Sequence, residues 1–199
     1  MDPVPRPPVR NVPVLLLHGW QGSGPGHWQS WLAEQLRNDD RDVRFPALPD
    51  ADHPALTPWL DALGETLRDL PTDGFDVLTH SLASLLWLHH ASAANDLPRP
   101  ARVALVSPPS PSIDITELAE FVPPPLDTDA VRRAAGGTVL VASDNDPYCP
   151  QTAAVAYGRP LRMATTVVPG AGHLNTDAGY GPWPAALAWC RHDNLAFTV

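Results

Sequence analysis

A three-layer α/β domain, with a mostly parallel sheet of about six strands flanked by helices, is the fold that this 199-residue sequence predicts. Three observations carry it. Six short runs at 12–17, 42–45, 75–79, 102–107, 138–142 and 165–168 are rich in Val, Leu and Ala. They are nearly continuous in apolar character rather than alternating, as parallel strands covered on both faces are. Helical patterns fall between them, and such alternation implies right-handed crossovers around one sheet. Finally, the residues able to do chemistry stand directly after these strands: His18, Gly19 and Trp20, then Ser81, then Asp144 and Asp146, then His173. Open α/β sheets bind ligands at that carboxyl edge.

The elements follow in order. Residues 1–11, with prolines at 3, 5, 7 and 8, read as an extended segment ahead of the first strand. Trp28, Trp31, Leu32 and Leu36 share one face of a first helix, and Leu56, Trp59, Leu60, Leu63 and Leu67 one face of a second. Strand 75–79 runs into an apolar helix over 82–94. Asp127 or Thr128 can cap a short helix that stops at Gly136 and Gly137. Residues 183–189 form a last helix. The 25 prolines, about twice the usual share, gather between apolar segments as loop punctuation. Length and composition (44% hydrophobic, 18% charged) predict one globular domain, residues 1–199.

Charge and cysteine content exclude several function classes. A net charge of −9 without a basic stripe argues against nucleic acid and anionic membranes as partners. All 13 basic residues are Arg, so a Walker-type phosphate loop, a Schiff-base lysine and a Ser-Lys dyad are ruled out. Cys149 and Cys190 form no CxxC or zinc-like pattern, which suggests neither a disulfide framework nor a metal. The early apolar run is too short to span a bilayer and lacks signal-peptide flanks, so a cytoplasmic setting is expected.

A serine hydroxyl becomes nucleophilic when an imidazole takes its proton, and a carboxylate must hold that imidazole in the right tautomer. Ser81, Asp146 and His173 occur in the order Ser, acid, His, each after a predicted strand. Asp144 is the other candidate acid; Pro147 after Asp146 suits a turn leaving the strand. His173 lies in the late loop "GAGHLN", whose small residues let the ring reach the serine. His80 is expected to pack in the turn, and His89 and His90 belong to a helix. The usual nucleophile turn reads G-x-S-x-G, whereas this chain has Thr79 and Ala83 at the glycine positions. A bland reading makes Ser81 only a helix N-cap. Oxyanion donors are expected at the backbone N–H of Leu82 and of Trp20, the latter in "HGWQGS". Read as a phosphate loop, that stretch fails the G-x-G-x-x-G fingerprint. His18, His27, Trp28 and Asn175 are candidate pocket residues, and 108–125 is the stretch long enough to overhang the pocket.

The motifs "LLLHGWQGSGPGHWQSWL", "THSLAS", "VASDNDPYCP" and "GAGHLNTDAGYGPWP" resemble the small single-domain serine hydrolases of the YdeN-like and retinoblastoma-binding-protein-nine-like group. The resemblance runs from about residue 14 to 183. It implies an α/β-hydrolase fold without a large cap domain. It also implies hydrolysis of small carboxylic esters or related acyl compounds, with Ser81 as nucleophile, Asp146 as acid and His173 as base. No cofactor is required by that chemistry, and the partner expected is a small-molecule acyl substrate. The retinoblastoma-protein ligand motif is absent around both cysteines, so that binding is not carried over. The substituted turn motivates the rival expectation, a hydrolase-fold binding protein with weak or lapsed chemistry.

Overall fold

The computed structural model describes residues 10–72, 74–93, 96–150, 152–194 and 196–197. Most of the expected N-terminal segment lies outside them. Six strands form one sheet: β1 Val14–Leu17, β2 Val43–Arg44, β3 Asp76–His80, β4 Arg102–Val106, β5 Thr138–Ser143 and β6 Ala164–Val168. Their order is β2-β1-β3-β4-β5-β6, and every pairing is parallel. The helices are α1 Trp28–Asn38, α2 Leu56–Arg68, α3 Leu82–Ser92, α4 Thr128–Ala134 and α5 Pro184–Arg191. Among the described residues no helix is long and apolar enough to cross a membrane.

The strands were legible because their side chains divide between two buried layers. Val14 and Leu16 of β1 pack with Trp28, Leu32 and Leu36 of α1 and with Leu187 and Trp189 of α5. Leu15 and Leu17 pack on the opposite face, with Trp59, Leu63 and Leu67 of α2 and Leu85 of α3. Both faces being covered, a continuous apolar run replaces alternation. Helix α3 is buried nearly all round, which explains its lack of a polar face.

Boundaries differ where the local backbone intervenes. Strand β1 begins at Val14 rather than 12, since Pro13 has no N–H to give and the first ladder bond runs from the Val14 N–H to Asp42 O. Asp127, not Thr128, caps α4 by accepting from the N–H groups of Asp129 and Ala130. That helix ends at Ala134, short of the glycines. A Cβ on Gly136 would lie 2.5 Å from the Ala101 carbonyl oxygen, so this glycine serves a close backbone approach.

The sheet order reverses between β1 and β3, since the chain leaves β1 toward β2 and then returns to the other side. A crevice therefore opens at the carboxyl ends of those two strands. The 19–24 loop follows β1 and Ser81 follows β3, so both meet at this crevice.

Candidate active site

Ser81 occupies the single position between β3 and α3, with φ 54° and ψ −123°. Such a conformation costs on the order of 1–3 kcal/mol in a residue with a Cβ and persists only where surroundings enforce it. Here the Ser81 N–H donates to Val106 O of β4 at 2.9 Å, and Ser81 O accepts from the Ser84 N–H at 2.9 Å. Ser81 stands at the N-cap position of α3, but its side chain makes no capping bond there. Its Oγ instead lies 2.9 Å from Nε2 of His173. Nδ1 of His173 lies 3.0 and 2.9 Å from the two carboxylate oxygens of Asp146. Both His173 and Asp146 are buried. A carboxylate only accepts, so Nδ1 carries the proton, and bare Nε2 can take the one on Ser81.

In the loop after β5 the two aspartates have different partners. Asp144 Oδ1 accepts the Gly170 N–H at 2.7 Å, Ser143 Oγ accepts that of Ala171 at 2.9 Å, and Asn145 Oδ1 accepts that of Gly172 at 2.7 Å. Three consecutive residues thus hold three consecutive N–H groups of the loop that presents His173. Asp146, next in line, reaches the imidazole itself. Asp144 fastens the loop, and Asp146 meets the ring.

Thr79 is accommodated by hydrogen bonding rather than by empty space. It is fully buried at the end of β3, and its Oγ1 lies 2.8 Å from Ser84 Oγ in the first turn of α3. Thr79 also donates to Ala104 O at 3.3 Å, and Ser84 lies 3.4 Å from Val106 O. Strand, turn and helix are tied together where the usual motif has a glycine. Thr79→Val and Ser84→Ala are each expected to cost about 0.5–1.5 kcal/mol, because each removes the bond between the hydroxyls and leaves the other only its longer contact to a strand carbonyl. The double variant, lacking both groups, should cost less than the sum. Urea unfolding of the four proteins measures this, and strict additivity would contradict the pairing.

The loop after β1 comes close to Ser81. A Cβ on Gly19 would lie 2.7 Å from Ser81 Cβ and 3.0 Å from His80 O, so only glycine permits the approach. Buried Gln29 anchors the loop: its Nε2 donates to Leu17 O at 2.9 Å and its Oε1 accepts from Ser23 Oγ at 2.7 Å. Trp20 follows Gly19 and lines the cavity, and its indole N–H is occupied by Asp52 O at 2.9 Å. Leu82 opens α3, at the positive end of the helix dipole.

A cavity of about 260 Å³ lies over Ser81, small even for a drug-sized ligand. Of the expected pocket residues, His27 and Asn175 line it, and so does Trp20. Trp28 and His18 do not, which corrects their assignment. Trp28 is fully buried on α1, edge-on to Trp183 at 5.0 Å, because the helix turns it into the core while His27, the N-cap, faces the cavity. His18 Nε2 accepts the Leu48 N–H at 2.9 Å, which pins the chain after β2. Pro109 and Leu118 line the cavity from the 108–125 stretch, as its length suggested. That stretch includes a 3-10 helix, Thr116–Phe121, whose Glu120 accepts the Leu56 N–H at the start of α2 at 2.8 Å. Sequence reasoning missed Tyr148, whose ring lies 4.5 Å from that of His173, and Gln21, Thr176 and Asp177 on the rim. Gln21 and Tyr148 sit in turns, and Thr176 and Asp177 in a single 3-10 turn, Thr176–Ala178, all too short for a periodicity to point to them.

Burial holds His27 down to about 4 and His80 well below the ordinary histidine range, with the nearby His173 imidazole contributing to both. Both rings are neutral near pH 7.

Six parallel strands with helices on both faces, and residues converging beyond their carboxyl ends, define an α/β hydrolase fold, which solved structures of that superfamily share. The model of the Serine hydrolase family matches residues 14–191, and the chain belongs to this family. It is 26% identical over 175 residues to YdeN of Bacillus subtilis (strain 168), named as a hydrolase, covering 86% of this chain and 90% of YdeN. The crystal structure of YdeN superposes with a TM-score of 0.74 at 23% identity, covering 89% of this chain and 96% of that one. A YdeN-like hydrolase from Pectobacterium atrosepticum SCRI1043 gives 0.71 at 24% identity, covering 89% and 88%. Est1E from Butyrivibrio proteoclasticus, solved with ferulic acid bound, gives 0.61 at 14% identity, covering 83% and 82%.

Proposed function

We propose that this member of the Serine hydrolase family cleaves small carboxylic esters or closely related acyl compounds through an acyl-enzyme intermediate. The observation that carries the reading is the continuous relay from Ser81 Oγ to His173 Nε2, and from His173 Nδ1 to Asp146. Ser81 Oγ attacks the carbonyl carbon while His173 takes its proton. The tetrahedral intermediate collapses, and His173 returns that proton to the departing alcohol. Water, deprotonated by His173 in turn, releases the acid and restores Ser81. Asp146 keeps the imidazole in its Nδ1–H tautomer and stabilises its charged form. The N–H groups of Leu82 and Trp20 are assigned to the oxyanion, where each such donor is typically worth on the order of 10²–10³ in rate. The chemistry as written requires no cofactor, and the partner is a small-molecule acyl substrate whose size the cavity limits.

A labelled fluorophosphonate tests this directly. Wild-type protein is expected to become labelled and to turn over p-nitrophenyl acetate, and Ser81→Ala to do neither. Folded wild-type protein that stays unlabelled would support the rival reading, a hydrolase-fold binding protein.

A further inference from the structure

His80 ends β3 immediately before Ser81, and its ring is buried although one side borders the cavity. Nε2 lies 3.0 Å from the backbone carbonyl oxygen of His173. A carbonyl only accepts, so Nε2 of His80 carries a proton and donates it. Two consecutive residues, His80 and Ser81, therefore hold one residue of the facing loop, the first by its main chain and the second by its side chain. The backbone there needs holding. Gly172 has φ 54° and Leu174 has φ 49°, so His173 sits between two left-handed residues, one of them with a branched side chain. Non-glycine residues in that region cost free energy and stay there only under external restraint. The bonds from Asp144, Ser143 and Asn145 restrain the N–H groups up to residue 172. In the peptide leading from His173 into Leu174, the Leu174 N–H donates to Ala171 O at 3.1 Å within the loop, and the His173 carbonyl is held from outside the loop by His80.

We propose that His80 is a positioning residue: its Nε2–H fastens the peptide between His173 and Leu174 and so aims the imidazole of His173 at Ser81. The ring is itself wedged by His27, the N-cap of α1, at 4.8 Å, by Trp28 of α1 at 5.9 Å, and by the His173 ring at 5.1 Å. The ionisable groups about this bond are His27 at the N-cap of α1, His173 on the loop after β6 and, beyond it, Asp146 and Tyr148 on the loop after β5. Of these imidazoles, His173 alone has a carboxylate at Nδ1, whereas His80 stays neutral and keeps the same donor throughout a catalytic cycle. This role rests on the hydrolase reading above.

The test compares His80→Leu, which keeps bulk without a donor, with His80→Gln, whose terminal N–H₂ reaches about as far as Nε2. A misplacement of about 1 Å costs roughly a hundredfold. His80→Leu is therefore expected to lower kcat for p-nitrophenyl acetate by about 10- to 100-fold, with KM within twofold. The acid limb of its kcat/KM profile should also move, as the Asp146–His173 contact loosens. His80→Gln should recover most of the rate. Wild-type kcat in His80→Leu, a change confined to KM, or a glutamine variant no better than leucine would each overturn the assignment. Nitrogen-15 spectra of the wild-type protein provide an independent reading should His80→Leu fail to fold. An Nε2-protonated His80 is expected, and the Nδ1–H tautomer would overturn the proposal. An unlabelled Ser81 in the fluorophosphonate experiment sinks the hydrolase reading itself. A labelled wild type with an unimpaired leucine variant sinks only the role of His80.

Discussion

Asp146→Asn is expected to lower kcat for p-nitrophenyl acetate by on the order of 10⁴-fold, and Asp144→Asn by only a few-fold. The two residues are separated by one position, yet their partners differ in kind. Asp146 accepts a proton-bearing ring nitrogen on both oxygens, at 3.0 and 2.9 Å. An asparagine there offers its N–H₂ as readily as its carbonyl, and an imidazole facing that donor moves its own proton to Nε2. A protonated Nε2 cannot accept from Ser81, so the nucleophile stays an alcohol. Asp144 accepts a backbone N–H from Gly170 at 2.7 Å, and an amide carbonyl oxygen can take over that task. Steady-state kinetics of both variants, with thermal midpoints to establish that each is folded, measure the contrast. The reverse ranking would reassign the acid to Asp144.

Gly19→Ala should produce the next largest loss, about a hundredfold or more in kcat. The reason is space. The added methyl would meet Ser81 Cβ at 2.7 Å and the His80 carbonyl oxygen at 3.0 Å, and the hydroxyl oxygen at 3.3 Å. Two of these three atoms are fixed by the turn, and no rotamer change relieves the overlap. Either the turn retreats, spoiling the 2.9 Å approach of Ser81 to His173, or the loop carrying Trp20 lifts away from the oxyanion position. Overpacking of this kind also costs about 1–3 kcal/mol of stability. Gly64→Ala is the matched control, since its Cβ would meet nothing closer than 3.7 Å, in helix α2 far from the cavity. Equal kcat in the two variants would show that the approach of the loop to Ser81 carries no functional weight.

Much of this was readable from the chain. Strands β1, β3, β4 and β5 carry consecutive apolar residues, with polar ones confined mostly to their ends, because both of their faces are covered, and such runs survive in the sequence as composition. The edges were less legible. Strand β2 pairs through only two residues, Val43 and Arg44, where four were expected, since an edge strand followed by Pro46 has little ladder to extend. Trp28 shows the limit most plainly. It adjoins His27, and both are large aromatic side chains in one promising motif. The backbone changes from extended at His27, the N-cap, to helical at Trp28, and this puts the tryptophan in the core and leaves the histidine at the cavity.

The order and spacing of residues settled what depends on neighbours along the chain: alternation of strands with helices, a small serine hydrolase resemblance, and a serine, an acid and a histidine each placed just after a strand. Three-dimensional packing decided what depends on distance between loops. It separated Asp146 from Asp144 through their contacts with His173 and Gly170, and it supplied the hydroxyl pair that makes room for Thr79. It also brought His80 onto the carbonyl of a residue 93 positions away. Local pattern encodes which face of an element is buried. Hydrogen bonds between loops distant in sequence leave no periodic trace, and they appear only once the sheet has set the loops side by side.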